Sequence, residues 1–205
     1  MNYLDMLPLA SFLFCAGIYL AVILRRQWNL TALAFCLGMA SLALMEFSNF
    51  MALSAIAFEK ILLWKRLSLL GEVLFVGNLL LFSVVFAKKD TKAAIRRWRW
   101  GLPFAYVLPG ALLILLFTMN QAMTTEGFQI IRLWPIAKYF HISLMIIVIF
   151  ILRNLENTFR SYSGLERGRI KFMIFGVGSM LSIYVYVLSQ RLLYNVIDVG
   201  NIYVM

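Results

Sequence analysis

Six apolar runs, each near twenty residues and set apart by charged or turn-forming clusters, dictate what this chain can fold into. A run of that length crosses roughly 30 Å of hydrocarbon as a helix. Lipid offers backbone N–H and C=O groups no water, so each run has to close its own hydrogen bonds internally. The alternation and turn spacing of a β-barrel are absent from the sequence. The expected spans cover about residues 6–24, 30–52, 67–87, 102–118, 135–152 and 172–192. Composition agrees, with 63% hydrophobic and 14% charged residues, where a soluble domain carries about a quarter charged. The mean hydropathy is +0.87. The expectation is an all-α polytopic membrane helix bundle, a single transmembrane domain over residues 1–205, with the lipid bilayer as its surroundings.

The net charge of +10 is a topological signal in such a chain. Lys and Arg collect in loops on the cytoplasmic side. With the N-terminus outside, the inner loops hold Arg25 and Arg26; Lys88, Lys89, Lys92, Arg96, Arg97 and Arg99; and Arg153, Arg160, Arg167, Arg169 and Lys171, 13 positive charges. The outer segments and helix ends hold Lys60, Lys65, Arg66, Arg132, Lys138 and Arg191, which is 6. That asymmetry places both termini outside, and no nucleic-acid partner is expected. Asp5 precedes the first run and Arg25 and Arg26 follow it, an order that predicts an uncleaved first helix. All five tryptophans, Trp28, Trp64, Trp98, Trp100 and Trp134, fall at expected loops or span ends, where amphipathic rings suit the headgroup zone. Pro103 and Pro109 predict a bend in the fourth span.

The stretch "KKDTKAAIRRWRW", residues 88–100, is the densest basic patch. Lys88, Lys89, Lys92, Arg96, Arg97 and Arg99 act there as topology determinants. They also suit anionic headgroups, at about 1 kcal/mol per basic residue near the surface.

Ionisable groups inside spans are costly in hydrocarbon, and so they are informative. Glu46, Glu72 and His141 lie roughly 9 Å below the outer ends of three different spans. Lys138 stands one turn from His141, and Asn49 shares a face with Glu46. Two readings follow. The favoured one is interhelical glue, with buried charges paired to each other. The other is an outward-facing ligand pocket. Either way Glu46, Glu72, Lys138 and His141 are expected close together, with Lys138 as the acids' partner.

No catalytic constellation stands out. The single histidine excludes bis-histidine haem ligation and makes a poor zinc site. No phosphate-binding glycine loop or nucleophile motif is present. Cys15 and Cys36 lie inside apolar runs without metal-ligand spacing and read as packing residues. No cofactor and no metal are expected.

One polar stretch carries more than topology. "LENTFRSYSGLERGRIKFMIFGVG", residues 155–178, includes Glu156, Arg160, Glu166, Arg167, Arg169 and Lys171. It resembles the cytoplasmic loop and following helix of the membrane-embedded N-terminal region of bacterial sensor histidine kinases, most closely those of the exosortase/PEP-CTERM (PrsK) type. The Leu-Glu, the central Gly-Leu-Glu-Arg and the Arg-Ile-Lys before a glycine-containing helix carry the likeness. The resemblance implies a sensor region of seven spans in the bacterial inner membrane, a homodimer, and two-component signal transduction through a cytoplasmic transmitter and a response regulator. This sequence has neither a cytoplasmic phosphoacceptor histidine nor nucleotide boxes. The implied role is therefore that of a sensor part, with the seventh span and transmitter missing, and no kinase catalytic residue is carried over. The alternative is a small transporter or channel subunit using the outer polar cluster. Such a protein more often spaces its polar residues along a whole path.

Overall fold

The structure, a computed structural model, describes residues 6–24, 29–88, 90–118, 123–125, 130–133, 135–162, 164–194 and 196–198. Among these, the elements in chain order are α1 (Leu7–Leu24), α2 (Leu30–Ser54), α3 (Phe58–Val85), α4 (Thr91–Arg97), α5 (Gly101–Thr118), β1 (Met123–Thr125), β2 (Ile130–Leu133), α6 (Pro135–Ser161), α7 (Gly164–Tyr194) and β3 (Val196–Asp198). All but α4 among the helices are long and apolar enough to cross a membrane, six in number. The protein is thus a helical, membrane-type bundle with the six spans read from hydropathy.

The helices outrun their apolar windows. α3 starts at Phe58, well ahead of the expected residue 67. Hydropathy marks the part of a helix that has to sit in hydrocarbon. Glu59, Lys60, Lys65 and Arg66 are good helix formers and carry α3 past that part. Trp64 consequently lies inside α3, edge-on to Phe47 with ring centroids 5.9 Å apart. α6 and α7 likewise extend through the polar residues on either side of position 163. Two starts are capped by side chains that satisfy an otherwise orphan N–H. Asn29 Oδ1 accepts from the Ala32 amide at 2.7 Å, and Asp90 Oδ1 from the Ala93 amide at 3.0 Å.

The strands were not expected. β2 pairs antiparallel with β1 and with β3, Arg132 lying opposite both Thr124 and Val196. β2 leads toward α6 and β3 follows α7. The small sheet therefore joins the chain entering α6 to the chain leaving α7.

α3 is the axis of the bundle. Its membrane-crossing part is 83% buried, whereas those of α1 and α7 are 11% and 22% buried. Contacts fix the directions. Asn49, Ser41 and Thr31 on α2 reach Ser68, Asn78 and Val85 on α3 in turn, so the two helices are antiparallel. α5 is antiparallel to α3 through Arg66 over the Phe117 ring and Tyr106 on Asn78. α7 is antiparallel to α3 through Arg191 on Glu72 and Tyr184 against Phe75. In lipid such assembly rests on close van der Waals contact, which small residues permit. A Cβ at Gly71 would stand 3.1 Å from the Met45 backbone, and one at Gly77 would fall on the Tyr106 ring. Cys15 packs with Met39 and Ala43, and Cys36 is also buried, both as free thiols.

The bundle therefore has two unlike ends. One holds the α2–α3 turn, the start of α6, the end of α7 and the sheet. The other holds α4 and the α6–α7 junction, and most of the basic residues among those described.

Candidate functional site

The site grows from Glu72, which lies mid-way along α3 with 1% of its surface exposed. A carboxylate buried there demands a partner. Arg191, in the last turn of α7, donates from Nη1 to Glu72 Oε1 and forms an ion pair with it. Tyr184 lies two turns earlier on the same face of α7, edge-on to Phe75 with centroids 5.5 Å apart. From α6 comes His141, as deeply buried as Glu72. The Ala137 carbonyl lies 2.7 Å from His141 Nδ1. A carbonyl only accepts, so Nδ1 carries the proton, and Nε2 of the neutral ring presents a lone pair. His141 is within electrostatic reach of both Glu72 and Arg191.

Three polar atoms of this constellation are buried without a hydrogen-bond partner among the described residues: Glu72 Oε2, His141 Nε2 and the Tyr184 hydroxyl. Buried polar atoms are paired in the great majority of cases. Three exceptions in one place set this site apart from the rest of the bundle.

Glu46 on α2 is half-buried and lies within electrostatic reach of Lys65, Arg191 and Glu72. Asn49, one turn on, accepts from Lys65 Nζ at 3.2 Å and from Ser68 Oγ at 2.9 Å. Glu46 on α2 and His141 on α6 are each within electrostatic reach of Glu72 on α3, and Asn49 is held by Lys65 and Ser68. Lys138 does not join them. The buried face of α6 runs through Ala137, Phe140, His141, Leu144, Val148 and Ile151. At about 100° per residue, Lys138 stands roughly 120° around the helix from the middle of that stripe, and it is exposed. The cation at Glu72 is Arg191, which the sequence reading had counted among outer helix ends. Its seven-residue spacing from Tyr184 is the signal that both face the same way. Which helix they face is not encoded in spacing.

A second polar network lies farther along α3. Asn78 donates to Ser41 Oγ at 2.9 Å and to the Leu37 carbonyl at 3.3 Å, and its Oδ1 accepts from the Tyr106 hydroxyl at 2.8 Å. Serine, asparagine and tyrosine are unremarkable in an apolar run, so sequence reasoning passed over all three.

At the basic end, α4 lies against the bundle through Ile95 and Trp98, with the Trp98 ring edge-on to Phe150 at 6.2 Å. Lys92, Arg96, Arg97 and Arg99 are exposed, and Lys88 is half-buried. The Arg99 guanidinium sits over the exposed Trp100 ring at 5.6 Å. Lys89 lies outside the described residues, as do Arg25 and Arg26.

The α6–α7 junction is tied to α3 as well. The Tyr162 hydroxyl donates to the Ala87 carbonyl, and Asn154 reaches Ser83 at 3.4 Å. Ala87 holds a φ of 56°, a left-handed conformation that costs an alanine roughly 1–2 kcal/mol. Glu156 and Arg160 form an exposed pair at 2.6 Å one turn apart. Lys171 lies over the Phe175 ring at 5.7 Å. The side chains of Glu166, Arg167 and Arg169 lie outside the described residues. Between α6 and α7 on this side runs an open groove of about 790 Å³, lined by Leu152, Phe159, Phe175 and Ser182 among others.

Compared with protein-family models, curated proteins and solved structures, the chain matches none.

Proposed function

We propose that this chain is a membrane-embedded sensory module of the bacterial histidine-kinase type, oriented with the Glu72 site toward the outside and α4 and the α6–α7 junction in the cytoplasm. The observation that carries the reading is the way the α6–α7 hairpin is held. At one end Arg191 on α7 grips Glu72 on α3. At the other, Tyr162 and Asn154 grip the far end of α3. Two long helices, of 27 and 31 residues, connect the grips. Packed helices shift as rigid bodies, so a change at the buried ion pair displaces the junction that carries the kinase-like sequence. The 13 to 6 charge split and the exposed basic face of α4 support the orientation. The inner-membrane location and a homodimeric assembly belong to the same reading.

Co-reconstitution tests it. The chain is added in excess to liposomes holding a full-length sensor kinase of the resembled type, and autophosphorylation is followed with labelled ATP. Mixed assembly through the shared sensor region changes the rate at least about twofold, and the Glu72→Gln chain changes it to a different extent. An unaltered rate at every ratio overturns the kinase-type reading.

A further inference from the structure

The buried site is short of a hydrogen-bond donor. Glu72 Oε2 only accepts when the carboxylate is ionised, as its ion pair with Arg191 requires. His141 Nε2 is also an acceptor, because Nδ1 holds the ring proton against the Ala137 carbonyl. Among the described residues neither atom has a partner, and the Tyr184 hydroxyl, within electrostatic reach of Glu72, has none either. Glu72, His141 and Tyr184 are 1%, 1% and 7% exposed, so bulk solvent does not reach these side chains. One added proton turns an acceptor into a donor and converts the arrangement into one that can close.

We propose that His141 Nε2, buried and unpartnered among the described residues within electrostatic reach of Glu72, is a proton-binding site, and that the bound proton sets His141 in competition with Arg191 for that carboxylate. The proton comes from bulk water and adds to the Nε2 lone pair. The Nδ1–H bond to Ala137 is kept, and no covalent bond between heavy atoms changes. The imidazolium is then a second cation beside Glu72, so the hold of Arg191 on α3 weakens. Arg191, its side chain 18% exposed, is where the site meets its surroundings.

The groups facing the imidazole support this assignment. α3 contributes Glu72 and α7 contributes Arg191, both within electrostatic reach of His141, and Tyr184 on α7 is within reach of that pair. On α6 itself, Lys138 points away and is exposed. The one tyrosine of α5, Tyr106, is engaged with Asn78. Beyond this shell, Glu46 on α2 is within electrostatic reach of Lys65, Arg191 and Glu72. The imidazole therefore has one close acid and one close guanidinium, and proton uptake decides between them. Histidine is the side chain whose ordinary titration range falls at physiological pH.

The inference deepens the sensory reading by naming its stimulus as a proton, and its test is independent of any kinase. The chain has a single histidine, so ¹⁵N-labelled imidazole gives one unambiguous pair of ring resonances in detergent or nanodiscs. Between about pH 4 and about pH 9 the Nε2 resonance titrates while Nδ1 keeps its proton. The titration midpoint moves in opposite senses in Glu72→Gln and in Arg191→Gln, by about one pH unit each. Should a single variant fail to fold, Glu72→Gln/Arg191→Gln leaves no uncompensated charge, and its midpoint also departs from the wild type. A resonance that does not titrate over this range overturns the proposal. So does a midpoint identical in the wild type and every folded variant. Neither result touches the co-reconstitution experiment, so loss of the proton site and loss of the kinase-type reading are told apart.

Discussion

Two polar networks lie six residues apart on the central helix α3, and they are built on opposite plans. Around Asn78 every partner is neutral: the amide donates to Ser41 and Leu37 and accepts from Tyr106, and the network closes between α2, α3 and α5. Around Glu72 the network is built on an ion pair. One carboxylate oxygen is held by Arg191, while the other, with His141 Nε2 and the Tyr184 hydroxyl, has no partner among the described residues. A closed neutral network in hydrocarbon fixes which helices meet and asks for nothing more. An open charged one is costly, and that cost is the mark of a group kept for something other than packing. The Asn78 network joins helices of the body of the bundle. The Glu72 network joins the body to the α6–α7 hairpin.

The contrast is sharpest in a double-mutant cycle. Arg191→Met alone strands a buried carboxylate, and Glu72→Gln alone strands a buried guanidinium. Each single change is expected to lower the unfolding free energy in detergent by about 3–5 kcal/mol. The double variant recovers a large part of that loss, because neither charge then lacks its partner. Strictly additive losses break the claim that the two side chains are paired.

The neutral network responds differently. Gly77→Ala drives a Cβ into the Tyr106 ring, and overpacking of this kind costs about 1–3 kcal/mol. A thermal melt of the variant matching the wild type shows that α3 and α5 do not meet there. Tyr106→Phe deletes a single hydroxyl and leaves Asn78 Oδ1 without its donor. The expected loss is about 0.5–1.5 kcal/mol, well below that of either charge deletion. Equal losses in Tyr106→Phe and Arg191→Met erase the distinction between the two networks.

The smallest effect belongs to the residue that sequence reasoning had placed in the charged site. Lys138→Met changes stability by no more than about 0.5 kcal/mol, because Lys138 stands exposed outside the buried stripe of α6. A destabilisation comparable to that of Arg191→Met makes Lys138 the partner of an acid after all.

That residue shows what the sequence carries and what it does not. Hydropathy identifies six spans because lipid imposes a length and a composition on each. Counting along the expected spans also leads to an expectation of one depth for Glu46, Glu72 and His141, but it takes its start from the apolar window, and α3 begins well ahead of that window at Phe58. Rotation about the helix axis is set by the whole apolar stripe, and a one-turn spacing from His141 to Lys138 leaves room for an error of more than a quarter turn. Which spans touch is a further unknown, and Arg191 meets Glu72 only because α7 runs antiparallel to α3. The start of α3 at Phe58 escaped hydropathy because charged helix formers extend a helix beyond the bilayer window. The strands escaped it because each is only three or four residues long and β3 comes from beyond α7 to pair with β2.

The central claim is that the ion pair at one end of the hairpin positions the junction at the other. Spin labels at Lys92→Cys and Arg160→Cys, with Cys15 and Cys36 replaced by alanine, report the distance from α4 to the α6–α7 junction in liposomes. Both label sites are exposed. Releasing the grip with Glu72→Gln/Arg191→Met is expected to shift that distance by about 2 Å or more, in the range of helix displacements in switching proteins, while helical content stays unchanged. Superimposable distance distributions in the wild type and a fully folded double variant contradict the account.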